Sequence, residues 1–520
     1  MTTLPADLIV AIDAGTSVIK AVAFDLAGRQ VALASVPNSY RVAPDGTATQ
    51  DMARAWTDAV QTLRLLADRV PGLPARTAVL AVTGQGDGTW LVDRENRPVG
   101  EAWLWLDGRA NAIVDDWRAS DADAERYRIT GTGLASGQQG PQLLWLDHHQ
   151  PEALAAADAA LHCKDWLYLN LTGTRATDPC EATFTFGDFR IRNYSDDVVE
   201  ILGLSRYRRL LPPILDGTRI HEPLTGVAAA ATGLLEGTPV VLGYIDVICT
   251  AMGAGIFDPA KAAGVTIVGS TGMHMRAVPT PEVALNADRT GYVMLLPVDG
   301  HVSQMQSNMA STLNVDWLLK VVAEMAASFG NPVEPRSLLP RLEEWIGQGQ
   351  PGRLIYQPYI SEAGERGPFI NGRARAGFIG LSSLHGFADL ARAIVESLGF
   401  AACDCYGATG GIPPVVRLSG GAVRSPSLRG IMSACLGTPV QTSAREEAGA
   451  AGAAMIAAVA TGHYAGMAEC CAEWVSPLLG AEEPPDPALA RQYRGLYPAY
   501  VAARRALPPV WQALAAREAP

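Results

Sequence analysis

Charge, cysteine and long apolar runs are all scarce in this sequence, and each scarcity removes a class of protein. Only 18% of the 520 residues are charged while 48% are hydrophobic, a balance that fits compact globular material and excludes disorder as the main state. Lys and Arg (41) are outnumbered by Asp and Glu (53), for a formal net charge of −12, so no overall attraction draws the chain to nucleic acid or to an anionic membrane. Eight cysteines are too few for a disulfide scaffold, and neither Cys403–Cys405 nor Cys470–Cys471 has a histidine at zinc-site spacing. No apolar run reaches the ~20 residues of a membrane span, and no basic start leads into an apolar core and cleavage site. A cytoplasmic protein is the expectation. A Walker A sequence is also missing, and Gly131-Thr132-Gly133 follows a polar, helix-like segment instead of a strand, so P-loop and Rossmann readings both fail.

What is present begins at Leu8 with LIVAIDAGTSVIKAVAFDLAGRQV. Two apolar runs read as an antiparallel strand pair, and the first delivers Asp13 into the turn Gly15-Thr16-Ser17, with Lys20 just beyond. A carboxylate, backbone N–H groups and hydroxyls gathered at a strand end suit a phosphate and its metal. Gln50–Ala67 has the apolar spacing of an amphipathic helix, and Thr77–Thr83 reads as a buried strand running into Gly84-Gln85-Gly86-Asp87-Gly88. Three glycines around Gln85 and Asp87 describe a tight loop that lets a small ligand approach the backbone. Trp103, Trp105, Asp107 and Arg109 follow, and they read equally well as a sugar-contacting wall or as core filling.

Val240–Gly243 is a strand with a second carboxylate, Asp246, just after it; an Asp at such a junction serves equally as a helix cap. At 520 residues the chain needs two domains or more, and the composition shifts at Asp258-Pro259-Ala260-Lys261. The expected domains are therefore 1–256 and 257–520. Beyond the crossing, strand Gly264–Val268 runs into Gly269-Ser270-Thr271-Gly272, a short echo of the opening turn that suggests two similar halves facing one cleft. A helix is expected over Ser383–Leu398. Strand Val415–Leu418 opens into Ser419-Gly420-Gly421-Ala422, where a ring or phosphate could lie on the backbone near the start of a helix over Pro426–Leu436. Gly449 and Gly452 in the Ala-rich helix Glu446–Ala460 permit close packing or ligand approach.

Together these segments resemble the FGGY family of carbohydrate kinases over nearly the whole chain. The family's Asp-x-Gly-Thr turn with a following basic residue is matched by Asp13, Gly15, Thr16 and Lys20. Its tryptophan-to-Asp-Arg stretch is matched by Trp105-Leu106-Asp107-Gly108-Arg109, and its second phosphate turn by Ser270-Thr271-Gly272. Its nucleotide-side glycine pair is matched by Gly420-Gly421-Ala422, its Gly-Glu-Arg loop by Gly364-Glu365-Arg366, and its Gly-Leu-to-His helix entry by Gly380-Leu381 with His385. Gln142 stands where the family usually has lysine, and Ser425 where the nucleotide motif often has Asn.

The resemblance implies an α/β fold of two ribonuclease-H-like, actin-like ATPase domains facing a central cleft, with ATP and Mg²⁺ as cofactors. It implies Asp246 as the catalytic base and a further metal contact, and Asp13 as the group that positions Mg²⁺. Gly15, Thr16, Ser17, Lys20, Ser270, Thr271, Gly272, Gly420, Gly421, Ala422 and Ser425 would lie on the nucleotide side. Gln85, Asp87, Trp105 and Arg109, with Asp246, would contact the substrate. Lys20 also has a plain solvent-facing reading, and His274 reads equally as a sugar contact or a structural histidine. Gly86 and Asp87 fit neither the Met-His of xylulose kinases nor the Arg-Glu of glycerol kinases. They resemble the loop of kinases acting on erythritol, so a short linear polyol is the first expectation and D-xylulose the second. A small polyol or sugar is the expected partner, a homodimer is compatible with it, and the rival class is a non-catalytic actin-like ATPase module.

Overall fold

The computed structural model describes residues 6–518. In strand β1 (Leu8–Ala14), LIVAIDA, only Asp13 is less than fully buried, as befits a central strand covered on both faces. It pairs antiparallel with β2 (Val18–Asp25), which pairs antiparallel with β3 (Gln30–Pro37). On its other side β1 runs parallel to β4 (Thr77–Gly84). Two further strands, β5 (Glu222–Pro223) and β6 (Pro239–Leu242), complete the order β5-β6-β4-β1-β2-β3, with β6 parallel to β4. Helix α1 (Met52–Arg69) starts where the Asp51 carboxylate accepts the Arg54 N–H, an N-cap that satisfies one otherwise free backbone donor. Its Met52, Ala55, Ala59, Leu63 and Leu66 form one buried stripe against β2 and β3.

The second sheet contains β7 (Gly264–Val268), β8 (Gly272–Pro279), β9 (Tyr292–Leu295), β10 (His301–Asn308), β11 (Val416–Ser419) and β12 (Val440–Thr442), in the order β9-β10-β8-β7-β11-β12. Here too the leading strand heads an antiparallel meander and has two parallel strands on its other side. The run β3-β2-β1-β4-β6 thus corresponds to β10-β8-β7-β11-β12, and the brief turn echo in the sequence marks a repeated topology. The fold is two α/β domains about a central cleft, in agreement with the sequence expectation.

Helices α2 (Cys163–Thr172) and α3 (Pro179–Phe186) cover the first domain, and α4 (Asp246–Gly253) follows β6. The second domain carries α5 (Phe387–Ala408) and α6 (Pro426–Leu436), and α7 (Ala448–Ala460) comes next in the chain. Helix α7 is buried from Ala448 to Ala458, yet it packs on α4, β1 and β4, elements of the first domain. A Cβ at Gly452 would stand 2.0 Å from the Cys249 carbonyl oxygen of α4, so α4 and α7 meet at backbone contact. One apolar core therefore joins Ile9 and Ala11 of β1 and Met252 of α4 with Ala450–Ala458 and with Val265 and Met275 of the second sheet.

The expected helix Ser383–Leu398 is displaced: α5 begins at Phe387 and continues to Ala408. The helix runs on through Gly399, where a Cβ would lie 2.6 Å from the Cys435 sulfur of α6. The glycine allows two helices to approach and does not end one. All eight cysteines are free and none is fully exposed, and no helix among the described residues is long and apolar enough to cross a membrane.

Candidate active site

Parallel strands β1, β4 and β6 end side by side, with Ala14 opposite Gly84 in register. Their carboxyl ends deliver the Asp13–Ser17 turn, the Gly84–Gly88 loop and, through Gly243-Tyr244-Ile245, Asp246 as the first residue of α4. Ligand sites of α/β sheets form beyond such strand ends. A cavity of about 160 Å³ lies there, lined by Thr16, Gln85, Asp87, Trp105 and Asp246 from the first domain and by Thr271, Met273, Tyr292, Met305 and Arg366 from the second. The structure thus brings together four of the expected substrate residues, Gln85, Asp87, Trp105 and Asp246.

A hydrogen-bond relay shapes the first-domain wall. The Trp105 indole donates to the Thr16 hydroxyl at 3.0 Å, which donates to Gln85 Oε1 at 3.0 Å, and Gln85 Nε2 donates to Gln50 Oε1 at 3.0 Å. The two readings of the tryptophans divide between them: Trp103 is 6% exposed in the core, whereas Trp105 is 36% exposed at the cavity. Arg109, expected to contact the substrate, requires correction. Its guanidinium binds Asp107 at 2.7 Å and lies 3.2 Å from the Trp103 ring centre, so it braces the loop and is not among the residues lining the cavity.

Three carboxyls at this edge share an electrostatic condition. Burial lifts Asp13 to about 6, with Lys20 pulling it down and Glu447 pushing it up. Asp246 is raised well above the usual carboxylate range, first by burial and then by the negative charge of Asp13. Asp87 is pushed up to about 8 by burial and by Glu181, against the opposing pull of His162 and Arg366. Lys20 is not simply solvent-facing, because its ammonium binds Glu447 at 2.7 Å, immediately before α7. His274 is buried, bonded to Thr266 at 3.2 Å and to Asn308 at 3.0 Å, and burial lowers it to about 4, which favours the structural reading.

The fit of a divalent cation can be judged from the donors. Among the described residues no three His, Cys, Asp or Glu side chains gather as a metal cage. Asp13 and Asp246, two carboxyls each carrying a raised pKa, are a donor set that suits Mg²⁺, which binds one or two carboxylates and keeps water and phosphate as its other ligands. A Cβ at Gly449 would come within 2.5 Å of Asp13 Oδ2, so the glycine leaves room for that carboxyl.

Across the cleft, the turn Gly269–Gly272 and the turn after β11 adjoin because β7 and β11 pair in parallel, Ile267 opposite Ser419. Gly420 has φ +100°, and a Cβ on it would stand 2.5 Å from the Val268 carbonyl oxygen; Gly421 has nothing within 4 Å. These turns offer backbone N–H groups and open space beside Ser270, Thr271 and Ala422. Ser425 differs: it accepts the Leu428 N–H at 3.0 Å as the cap of α6 and hydrogen-bonds Glu343, so its hydroxyl is already engaged.

Sequence reasoning missed Glu181, Tyr292 and the methionines of the second-domain wall, and it gave Arg366 no role. Met273, Met294 and Met305 lie on β8, β9 and β10 and read as core. Only the Gly364-Glu365-Arg366 loop carried a signal, as a motif without a function.

Two α/β domains of one topology, with carboxylates on one wall of the cleft and glycine turns on the other, define a two-domain sugar-kinase architecture. The model of the N-terminal domain of the FGGY family of carbohydrate kinases matches residues 8–253, and that of its C-terminal domain matches residues 264–461. The chain belongs to this family and is a carbohydrate kinase. It is 56% identical to the erythritol kinase of Brucella abortus (strain 2308) over 509 residues, 98% of each chain. It is 29% identical to the xylulose kinase of Escherichia coli (strain K12) over 461 residues, 87% of this chain and 90% of that one. Among solved structures, xylulose kinase from Rhodospirillum rubrum superposes with a TM-score of 0.85 at 27% identity, covering 97% of this chain and 100% of that one. Xylulose kinase from Lactobacillus acidophilus shares the fold, with a TM-score of 0.87 at 21% identity over 98% and 99% of the two chains.

Proposed function

We propose that the enzyme transfers the γ-phosphoryl group of ATP to a hydroxyl of erythritol. The observation that carries the choice of substrate is the 56% identity to an erythritol kinase over 98% of both chains, against 29% to a xylulose kinase. The Gly86-Asp87 loop, which resembles that of kinases acting on erythritol, supports the same choice. Bound ATP with Mg²⁺ supplies the phosphoryl group and neutralises charge as it moves.

Asp246 takes the proton of the attacking hydroxyl; burial and the negative charge of Asp13 raise its pKa in the ligand-free protein, and a bound cation would return it to the ionised form in which it can act as a base. Asp13 would hold a bound Mg²⁺, whose positive charge would offset the repulsion between the two carboxyls. The Gly15-Thr16-Ser17 and Ser270-Thr271-Gly272 turns present N–H groups, with the hydroxyls of Ser17, Ser270 and Thr271, to the phosphates, and Gly420-Gly421-Ala422 forms the bed for the rest of the nucleotide. Gln85, Asp87 and Trp105 orient the polyol, since holding both reactants in line supplies much of the rate. A coupled ADP-release assay with erythritol, D-xylulose, L-ribulose, glycerol and ribitol tests this. The expected result is ADP formation that depends on a polyol and has its highest kcat/KM with erythritol. A higher value for D-xylulose would reassign the substrate, and ADP formation indifferent to all five would remove the polyol.

A further inference from the structure

The cavity holds two unmet polar groups that come from different domains. Asp87, in the loop after β4, has φ +55°, a backbone conformation uncommon for residues other than glycine. Glu181 of α3 holds it there by accepting the Asp87 N–H at 2.7 Å. Glu181 belongs to a buried group with Lys164, Asp165 and Asp178, so it is a rigid support. The Oδ1 atom of Asp87 is nevertheless buried without a hydrogen-bond partner.

On the second-domain side, Arg366 is fixed just as firmly. Glu365 accepts its backbone N–H at 2.8 Å, and one terminal guanidinium nitrogen donates to the Ser307 hydroxyl at 2.9 Å. Its Nε atom is buried and unpartnered. Both residues line the same cavity with Tyr292, and each side chain is near enough to act on the charge of the other and on the Tyr292 phenol.

A buried acceptor and a buried donor left unpaired cost free energy that a ligand can recover by pairing both. The two groups line one cavity from different domains, so a ligand that pairs both must accept from one and donate to the other. Two adjacent alcohols do this, because each hydroxyl is at once donor and acceptor.

On the reading that the substrate is a polyol, we propose that Arg366 is a specificity-determining residue: with Asp87 it grips a vicinal diol of the substrate, apart from the hydroxyl served by Asp246. Apart from Ser307, whose hydroxyl already accepts from Arg366, the lining includes Phe184, Met273, Met294 and Met305, which give a carbon lacking its hydroxyl nothing to replace these bonds.

The test pairs enzyme variants with substrate deletions. Wild type, Arg366→Gln, Arg366→Lys and Asp87→Asn are assayed with erythritol and with 1,4-butanediol, which keeps both terminal hydroxyls and has no vicinal diol. Wild type is expected to favour erythritol in kcat/KM by about ten- to hundred-fold, the range of a hydrogen bond to a charged group. In Arg366→Gln and Asp87→Asn that preference should shrink about tenfold or more, through KM for the polyol, with KM for ATP unchanged. Arg366→Lys keeps the positive charge but not the planar donor; it should stay folded and lose most of the preference, and it carries the test if the Gln variant does not fold. A preference retained in Arg366→Lys and Asp87→Asn, or a common rise in KM for polyol and for ATP, overturns the proposal while wild-type turnover keeps the kinase reading intact. Absence of polyol-dependent turnover in wild type would overturn that reading and this inference with it.

Discussion

In the first domain, the hairpin after the leading strand carries Asp13, and its sheet edge gathers Asp87 and Asp246 as well. In the second, the equivalent hairpin after β7 is Gly269-Ser270-Thr271-Gly272, with no carboxylate, and the adjoining turn is Gly420-Gly421-Ala422. The same strand order thus presents acceptors on one side of the cleft and backbone donors on the other. Acceptors suit a cation and hydroxyl protons, whereas N–H groups suit phosphate oxygens. A repeated frame has been divided by the side chains placed at its strand ends, and its topology alone would not tell which half takes which ligand.

That division can be tested from its strongest element to its weakest. Asp246→Asn should lower kcat by about 10²-fold or more, the usual span of a lost general base, in a protein that still folds; turnover near wild type would show that no base is needed at this position. Asp13→Asn should cost about 10–100-fold and, unlike Asp246→Asn, should move the Mg²⁺ titration to higher concentration. Identical titrations for the two variants would erase the distinction drawn between them.

On the donor side, Gly420→Ala forces a Cβ against Val268 at a positive φ and should destabilise the fold by about 1–3 kcal/mol, read by denaturant unfolding. Gly421→Ala meets no protein atom within 4 Å, so it should leave stability alone and raise KM for ATP. Equal effects of the two alanines on stability would contradict the open space at Gly421.

The smallest effect concerns Asp87. Its folded value of about 8 lies above the ordinary 3.8, so the folded state holds this proton more tightly than the unfolded chain, and stability contributed by the group falls as pH rises from about 4 to about 8. Asp87→Asn should therefore raise the melting temperature of the ligand-free enzyme by about 2 °C at pH 8 and above and change it little near pH 4. A gap of the same size at both pH values would mean that ionisation at Asp87 is not its source.

Much of the first wall was legible in the sequence because it is local. The apolar run of β1 sets Asp13 at its end, and the glycines of Gly84–Gly88 announce a ligand-facing loop. Arg109 shows where local reading fails: a charged side chain beside two tryptophans reads as a sugar contact, but its partners Asp107 and Trp103 satisfy it inside the loop. The second wall is non-local. Met273, Met294 and Met305 belong to three strands brought together only by the sheet, and Arg366 reaches the cavity from a loop far along the chain. Strand periodicity places such methionines inside the protein without saying that what they face is a ligand.

Helix α7 adds a consequence for how the polypeptide matures on the ribosome. The first sheet is complete once β6 has been made, yet the face formed by β1, β4 and α4 stays uncovered until Ala448–Ala460 emerges about 200 residues later, a wait of roughly 10–40 s at usual synthesis rates. During that interval the nascent chain presents an apolar surface holding Ile9, Ala11, Val79 and Met252, the kind of transient exposure that invites aggregation. A message truncated before codon 448 would yield a first domain that keeps Asp13, Asp87 and Asp246 but has its interior open to water.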